Sequence, residues 1–422
     1  MRVALINTNT YTYPPTIPVG MEYLIAPLKR AGYEVICLDL VFCSNPENDV
    51  CKFMEEHRPE FACFSIRNTD TALFINNQFL LETPAAIVRK VKESFGVPAI
   101  VGGSATLCAG SEIARLTGAD ALIRGPAEVA LPKLLERMKK GRVPESPIDG
   151  YSYGIIPDIV HERGTHIDYS QYLTKGHPAG IEFRKGCDWS CPFCVERSRP
   201  ILSRTIEATV SEIKSLADSG VRSLFFCDSE FNIDTHNTSL LLEAIKREGF
   251  PTEITGYFRP VPMNGLMMKF LRESGFRKIT LSVNSWDLSP ENSPYKENDV
   301  VNFIKMARQE GIRVAVDLLV GYPGETIDSV LKALEILRIA EPDTVGVNPY
   351  IRIYEGTPAV RDALKYAGQG DGKVLGEVEG NPELVRPVFY LGINLSKLKD
   401  AIDKDSTFVL EGSSKTVNYE RI

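Results

Sequence analysis

Twice along this chain, short apolar and β-branched runs alternate with stretches of helical period, and that alternation confines the fold to layered α/β architectures. In the first series, strand patterns fall at 3–7, 34–39, 61–66, 99–101 and 121–124, with Gly, Asn, Asp or Ser at or near each end. Helical patterns at 21–31, 50–56, 85–93, 111–116 and 129–139 lie between and after them. Residues 1–141 are therefore expected to form a Rossmann-like, doubly wound parallel sheet, which takes ligands outside the carboxyl ends of its strands. Residues 142–178 carry Pro144, Pro147, Pro157 and Pro178 without helical period and read as a linker. The second series has strand patterns at 180–184, 223–227, 253–257, 278–283, 313–320 and 344–348. Its helices are expected at 209–219, 239–248, 264–274, 300–310 and 329–340, several closed by a following Gly, as at Glu248-Gly249. Six βα-type units over residues 179–358 predict a partial (β/α)6 barrel, short of the eight strands of a closed one. Residues 359–422 are less regular and are expected to form a C-terminal, substrate-facing extension, with 386–390 as the selecting segment or a capping strand.

Composition narrows the function. With 48 Lys and Arg against 55 Asp and Glu the net charge is −7, and no long basic run occurs. Phosphate-driven nucleic-acid binding is thus not expected. No apolar run approaches the ~18 residues of a membrane helix, so no membrane partner is expected. The opening residues read as a strand and lack the apolar core of a secretory leader, which points to the cytoplasm. Nine cysteines in such a chain do not suggest a disulfide framework.

Cys187, Cys191 and Cys194 crowd one loop after the first strand of the second series. Their spacing lets one loop wrap thiolates around a compact inorganic centre, and thiolates are the usual ligands of iron–sulfur clusters. With no evident fourth cysteine, one iron is left open to a small molecule. A zinc site needs a fourth ligand, with His177 as the candidate, and three structural core cysteines are the plainest alternative. Cys37, Cys43, Cys51, Cys63, Cys108 and Cys227 lack cluster-like spacing and are mostly expected in the core.

The loop resembles the CxxxCxφC hallmark of the radical S-adenosylmethionine (SAM) superfamily, with Phe193 as the aromatic residue. The resemblance covers about 179–358 and implies a 4Fe-4S cluster whose open iron binds SAM, which is cleaved reductively to a 5′-deoxyadenosyl radical. Further motifs follow in family order. Ser229 and Glu230 stand where the methionine amino group is contacted, though the commoner Gly-Gly-Glu is absent. Ser282 and Asn284 occupy the ribose- and carboxylate-contacting position, where Glu is often found instead of Asn. Gly321 opens Gly-Tyr-Pro-Gly-Glu-Thr, close to the family's turn after the fifth strand. Arg259 is read as neutralising a carboxylate or as a surface ion pair.

The first domain lacks Gly-x-Gly-x-x-Gly after its first strand, which argues against a dinucleotide site. Its motifs resemble instead the cobalamin-binding domain that precedes the radical module in one branch of the superfamily. They comprise Asn9, Tyr11 and Pro15 in the first loop, Gly20 and Tyr23 at the helix start, and Ser65, Arg67 and Asn68 after the third strand. Gly102, Gly103 and Ser104 follow the fourth strand, and Gly125 and Glu128 the fifth. The Asp-x-His-x-x-Gly of histidine-ligated cobalamin proteins is missing, which implies cobalt without a histidine ligand; Arg67, Asn68 and Tyr11 are the candidates to approach its lower face.

Together the resemblances imply a cobalamin-dependent radical SAM C-methyltransferase carrying methylcobalamin and acting on an unactivated sp3 carbon. Its catalytic residues cannot be named beyond these cofactor contacts. The compact layout is similar to methylases of a glutamine in methyl-coenzyme M reductase, a post-translational modification of methanogenesis. That implies a protein or peptide substrate and a low-potential electron donor. The alternatives are natural-product methylation, and cyclisation or rearrangement without methyl transfer.

Overall fold

The structure is a computed structural model that describes residues 1–143, 147–174, 176–288, 293–413, 416 and 418–422; Pro144 lies outside them. The first sheet contains β1 (Arg2–Asn7), β2 (Glu34–Asp39), β3 (Phe61–Ser65), β4 (Ala99–Gly102), β5 (Ala121–Arg124) and β6 (Ile148–Asp149). Every pairing is parallel and the order is β2-β1-β3-β4-β5-β6. The order reverses between β1 and β3, and that switch point is where such sheets leave a ligand crevice. The expected helix at 21–31 is instead two short ones, Val19–Glu22 and Ile25–Arg30. Pro27 has no N–H to donate to Tyr23, so a continuous helix would lose a bond at that turn.

The second sheet begins with β7 (Ala179–Ile181), after which the chain forms a hairpin of β8 (Arg184–Cys187) and β9 (Arg199–Ser203). The single strand expected at 180–184 is thus two elements. Gly186 permits the register shift within that hairpin: its φ is +88°, and a Cβ there would stand 2.1 Å from the Pro200 carbonyl oxygen. The sheet continues through β10 (Ser223–Phe226), β11 (Glu253–Phe258), β12 (Lys278–Asn284), β13 (Arg313–Leu319) and β14 (Thr344–Asn348). Capped helices connect them; Thr205, Asp234 and Asn264 each accept a backbone N–H from the first turn that follows. Beyond β14 come β15 (Tyr350–Arg352), β16 (Lys373–Leu375), β17 (Phe389–Leu391) and β18 (Phe408–Leu410). β18 joins the barrel sheet beside β14, so that the described sheet has seven strands rather than six. β15, β17 and β16 form a separate antiparallel sheet. Phe389 and Tyr390, expected to select substrate, are 2% and 1% exposed and belong to packing.

A buried ionic knot ties the two large sheets together. Arg163, in the segment expected as a linker, pairs through Nε with Glu22 at 2.8 Å and through Nη1 with Glu212, all three side chains fully buried. Arg204 pairs with Glu212 at 2.5 Å. Tyr23 donates to Glu212 at 3.0 Å, and Tyr169 donates to Glu22. His161 stacks on Tyr23 at 3.9 Å, and burial with the nearby arginines drives its pKa down to about 2. The C-terminal region clamps the far side: Arg352 pairs with Asp70 at 3.1 Å, and Phe74 stacks on Tyr350 at 4.4 Å. Among the described residues no helix is long and apolar enough to cross a membrane.

Candidate functional site

Of the three clustered cysteines, Cys187 ends β8 and Cys191 and Cys194 lie in the connection to β9. Backbone N–H groups point at two of the sulfurs: Trp189 donates to Cys187, and Glu196 and Arg197 donate to Cys194. Such bonds stabilise thiolates and tune a cluster's potential. Burial meanwhile pushes the free thiols up, Cys187 to about 11 and Cys191 to about 12. Ligation must therefore drive proton release. The described residues contain no group of three acidic, His or Cys side chains converged on a single ion. A cluster asks for something different, because each thiolate binds its own iron. His177, the candidate zinc ligand, lies 3.8 Å from Glu420 instead.

The loop is held from several sides. Arg259 is 4% exposed, pairs with Asp188 at 2.6 Å and lies 4.9 Å over the Trp189 ring. It neutralises a carboxylate next to Cys187, and the surface reading of that arginine is corrected. Phe193 meets Trp286 edge-on at 5.8 Å, and Trp189 stacks on Tyr295 at 5.7 Å. Pro192 accepts from the Ala359 N–H at 3.0 Å, which ties the loop to the C-terminal region.

The strand ends around this loop bring the other candidates together. Burial pushes Glu230 up to about 8, with a hydrogen bond from Ser282 drawing it partly back. Its Oε2 is buried without a hydrogen-bond partner, and it stands within electrostatic reach of all three cysteines. Asp228 accepts from the Phe183 N–H at 2.8 Å, and burial raises it to about 7. Asn284 donates to Asp287 at 2.8 Å, so its amide is already engaged. Gly321, at φ +79°, donates its N–H to Glu325 at 2.7 Å, closing the Pro-Gly-Glu turn on itself.

The sheet's switch point and the barrel mouth enclose a shared cavity of about 390 Å³. Asn9, Gly20, Ser65, Arg67, Gly102, Gly103, Ser104, Gly125 and Glu128 line it from the first sheet. Glu182, Lys185, Cys227 and Ser229 line it from the barrel. Two glycines are sterically required. A Cβ on Gly103, at φ +100°, would meet the Ile66 oxygen at 2.3 Å, and one on Gly125 would meet the Tyr151 ring at 2.7 Å. Glu128 is 5% exposed; one oxygen lies 3.6 Å from Lys185 and the other has no hydrogen-bond partner. This backbone-lined crevice with an orphaned acceptor fits a large amide-rich ligand such as cobalamin.

Tyr11, Pro15, Asn68 and Tyr23 are not in that lining. Tyr23 is corrected most clearly, since its hydroxyl belongs to the ionic knot. The sequence reading missed Tyr151 and Glu196, which line the cavity joined by a 2.9 Å hydrogen bond. Glu196 lies two residues past Cys194, the one signal that could have found it. Of the six cysteines expected mostly in the core, Cys63 alone is buried, Cys37, Cys43, Cys51 and Cys108 are half-buried, and Cys227 is exposed; Cys63 and Cys227 both line the cavity.

Comparison with known proteins matches residues 181–337 to the Radical SAM superfamily and residues 8–135 to the B12 binding domain. The chain is 21% identical to tryptophan 2-C-methyltransferase of Streptomyces laurentii, over 88% of this chain and 75% of that protein. It is 26% identical to hopanoid C-3 methylase of Methylococcus capsulatus, over 76% of this chain and 64% of that one. Its fold is similar to the radical SAM methyltransferase TsrM of Kitasatospora setae, solved with tryptophan and a SAM analogue. The TM-score is 0.87 at 21% identity, covering 99% of this chain and 93% of the other. A second TsrM structure, with cobalamin and a [4Fe-4S] cluster, gives 0.86 at 20% identity, covering 97% and 92%. The cysteine loop, the shared cavity and the paired domain matches agree, and the chain belongs to the cobalamin-dependent radical SAM family that includes these methyltransferases.

Proposed function

We propose that this enzyme transfers a methyl group to a carbon atom of a small organic substrate. One observation carries the reading: a single cavity is lined from one side by the B12-type sheet and from the other by the mouth of the cysteine-bearing barrel. When bound, the cofactors supply a reductively cleavable SAM and a cobalt-held methyl group. The chain does the rest. Cys187, Cys191 and Cys194 hold the cluster, and Arg259 fixes their loop through Asp188. Glu230, which accepts from Ser282, offers its remaining carboxylate oxygen beside the cysteines for the amino group of SAM. Gly103 and Gly125 let the crevice's loops pack against the Ile66 backbone and the Tyr151 ring, which shapes the space left for a corrinoid. The Asp70–Arg352 pair and the Phe74–Tyr350 stack fasten the first domain to the C-terminal region.

For the substrate, the relative matching 88% of this chain is named for methylating tryptophan, which supports a free aromatic compound. A glutamine of methyl-coenzyme M reductase is supported by chain layout alone. A low-potential donor supplies the electron, and the cytoplasm is the setting this chemistry suits. The test is anaerobic turnover with methyl-labelled SAM, offering tryptophan and a glutamine-containing peptide in parallel. Label in a carbon-methylated product, with S-adenosylhomocysteine formed alongside, is expected. Deoxyadenosine formed with substrate but without S-adenosylhomocysteine would instead indicate cyclisation or rearrangement.

A further inference from the structure

The interior of the partial barrel carries a recognition surface of its own, and the end of the chain helps to build it. Strand alternation buries Ile254, Phe258, Ile279, Leu281, Val314 and Val316 at 0–1% exposure. On the opposite face Phe225, Tyr257, Ser282, Asp317 and Leu319 point inward and are only partly buried. A closed barrel fills this space with side-chain layers. Here those side chains keep part of their surface uncovered.

The last turn of the chain, Asn418–Glu420, enters that space. Asn418 donates to the Val316 carbonyl and to Asp317, both at 2.8 Å. Lys278 holds the Tyr419 and Ile422 carbonyls at 3.1 and 3.2 Å. Gly346 makes the entry possible, because a Cβ there would stand 2.2 Å from Glu411 Oε1 and 3.0 Å from Asn418 Cγ. Tyr419 is thereby brought to 5.8 Å from Phe225, which lies 5.6 Å from Tyr257. These three rings, two from strands and one from the tail, form an aromatic wall.

Asp317 is a charged neighbour of both Tyr257 and Tyr419. It also sits opposite Ser282 in the strand register, and Ser282 reaches Glu230. The cation nearest Asp317 from the tail, Arg421, is paired with Glu411 at 2.9 Å. Among the described residues Asp317 thus has no cation paired with it, while Arg67 of the first sheet is a charged neighbour of Tyr419. The Thr255 and Thr280 hydroxyls, on residues 4% and 0% exposed, face the same interior without hydrogen-bond partners.

We propose that Asp317, with the rings of Tyr257 and Tyr419, is the substrate-selecting pocket, and that it takes a flat ring bearing a protonated amine. The reasoning is charge and shape. A cation offsets the unpaired Asp317, whereas an anionic end placed beside it would be repelled. A flat ring stacks or meets edge-on with the tyrosines, and an ammonium group gains from their faces. The inference rests on the small-substrate methyl-transfer reading above and adds the residues that choose the substrate.

The test is anaerobic equilibrium dialysis of the cofactor-loaded chain with tryptamine and with indole-3-propionate, which share a ring and differ in charge. The unloaded chain is measured in parallel, since the pocket belongs to the protein. Tryptamine is expected to bind at least about tenfold more tightly. Asp317→Asn, which keeps the side chain's shape, is expected to erase that preference, and Tyr419→Leu to weaken binding of both rings. An unchanged preference in Asp317→Asn, or binding of neither ring to the wild-type chain at millimolar concentration, overturns the proposal. Iron and cobalt measured on the same samples test the functional reading separately, so the two can fail apart.

Discussion

The molecule buries two groups of charges, and they are balanced differently. In the knot between the sheets, Glu22 and Glu212 face Arg163 and Arg204, and two tyrosine hydroxyls take up further acceptor positions. At the barrel mouth and lumen, Glu230 and Asp317 are pushed up to about 8 and 6 by burial with no ion pair of their own among the described residues, whereas Asp228, raised to about 7, has the buried Arg184 3.9 Å away. Matched charges make a fixed joint. Unmatched ones mark where ligands are to supply the missing cation, as perturbed acids in a cleft commonly do. The difference also separates effects on stability from effects on cofactor and substrate.

Breaking the knot is expected to have the largest effect. Arg163→Met leaves two buried carboxylates short of a partner, which costs about 3–5 kcal/mol. Urea unfolding is the measurement, and a loss under 1 kcal/mol would mean that the joint does not hold the sheets. Cys191→Ser is expected to abolish iron retention and SAM cleavage while leaving the unfolding midpoint of the cofactor-free chain nearly unchanged. Full iron content in that variant would remove Cys191 from the ligand set. Gly103→Ala forces a Cβ against the Ile66 carbonyl. Strain of about 1–3 kcal/mol is expected at such a backbone position, together with loss of bound cobalt. Iron content should survive, and a variant that keeps its cobalt would show that the crevice is not built around this glycine.

The smallest effect is on pH dependence, and the two groups pull in opposite directions. Acids raised above their unfolded values of about 4 hold protons in the folded state, so they reduce stability as pH rises from about 4 towards 8. His161 is depressed to about 2, so the unfolded chain binds its proton first and stability falls as pH drops below about 6.5. Urea midpoints of the cofactor-free chain are expected to peak between these limbs. Asp317→Asn should flatten the alkaline limb and His161→Phe the acid one. A profile unchanged by both substitutions would contradict this account of the buried charges.

The cysteine loop was legible because ligation chemistry constrains residue type and spacing within eight residues. The parallel sheets were legible through period alone. The ionic knot was not, since Glu22 and Arg163 lie 141 positions apart and Arg163 sits in a stretch without period. Tyr23 fitted a sequence pattern, but the break before Pro27 and the contact with Glu212 turn its hydroxyl into the joint. β18 was missed because three residues are too few to show alternation, and only its pairing with β14 defines it. The tail's role in the lumen depends on Gly346, whose missing side chain acquires meaning only once Glu411 and Asn418 are placed beside it.

Iron and cobalt per chain, measured after anaerobic reconstitution with iron, sulfide and cobalamin and then desalting, test most directly whether one cavity serves two cofactors. About four irons and one cobalt are expected. Four irons without retained cobalt would contradict the account and leave the first sheet as a substrate-binding element of a radical enzyme without methyl transfer.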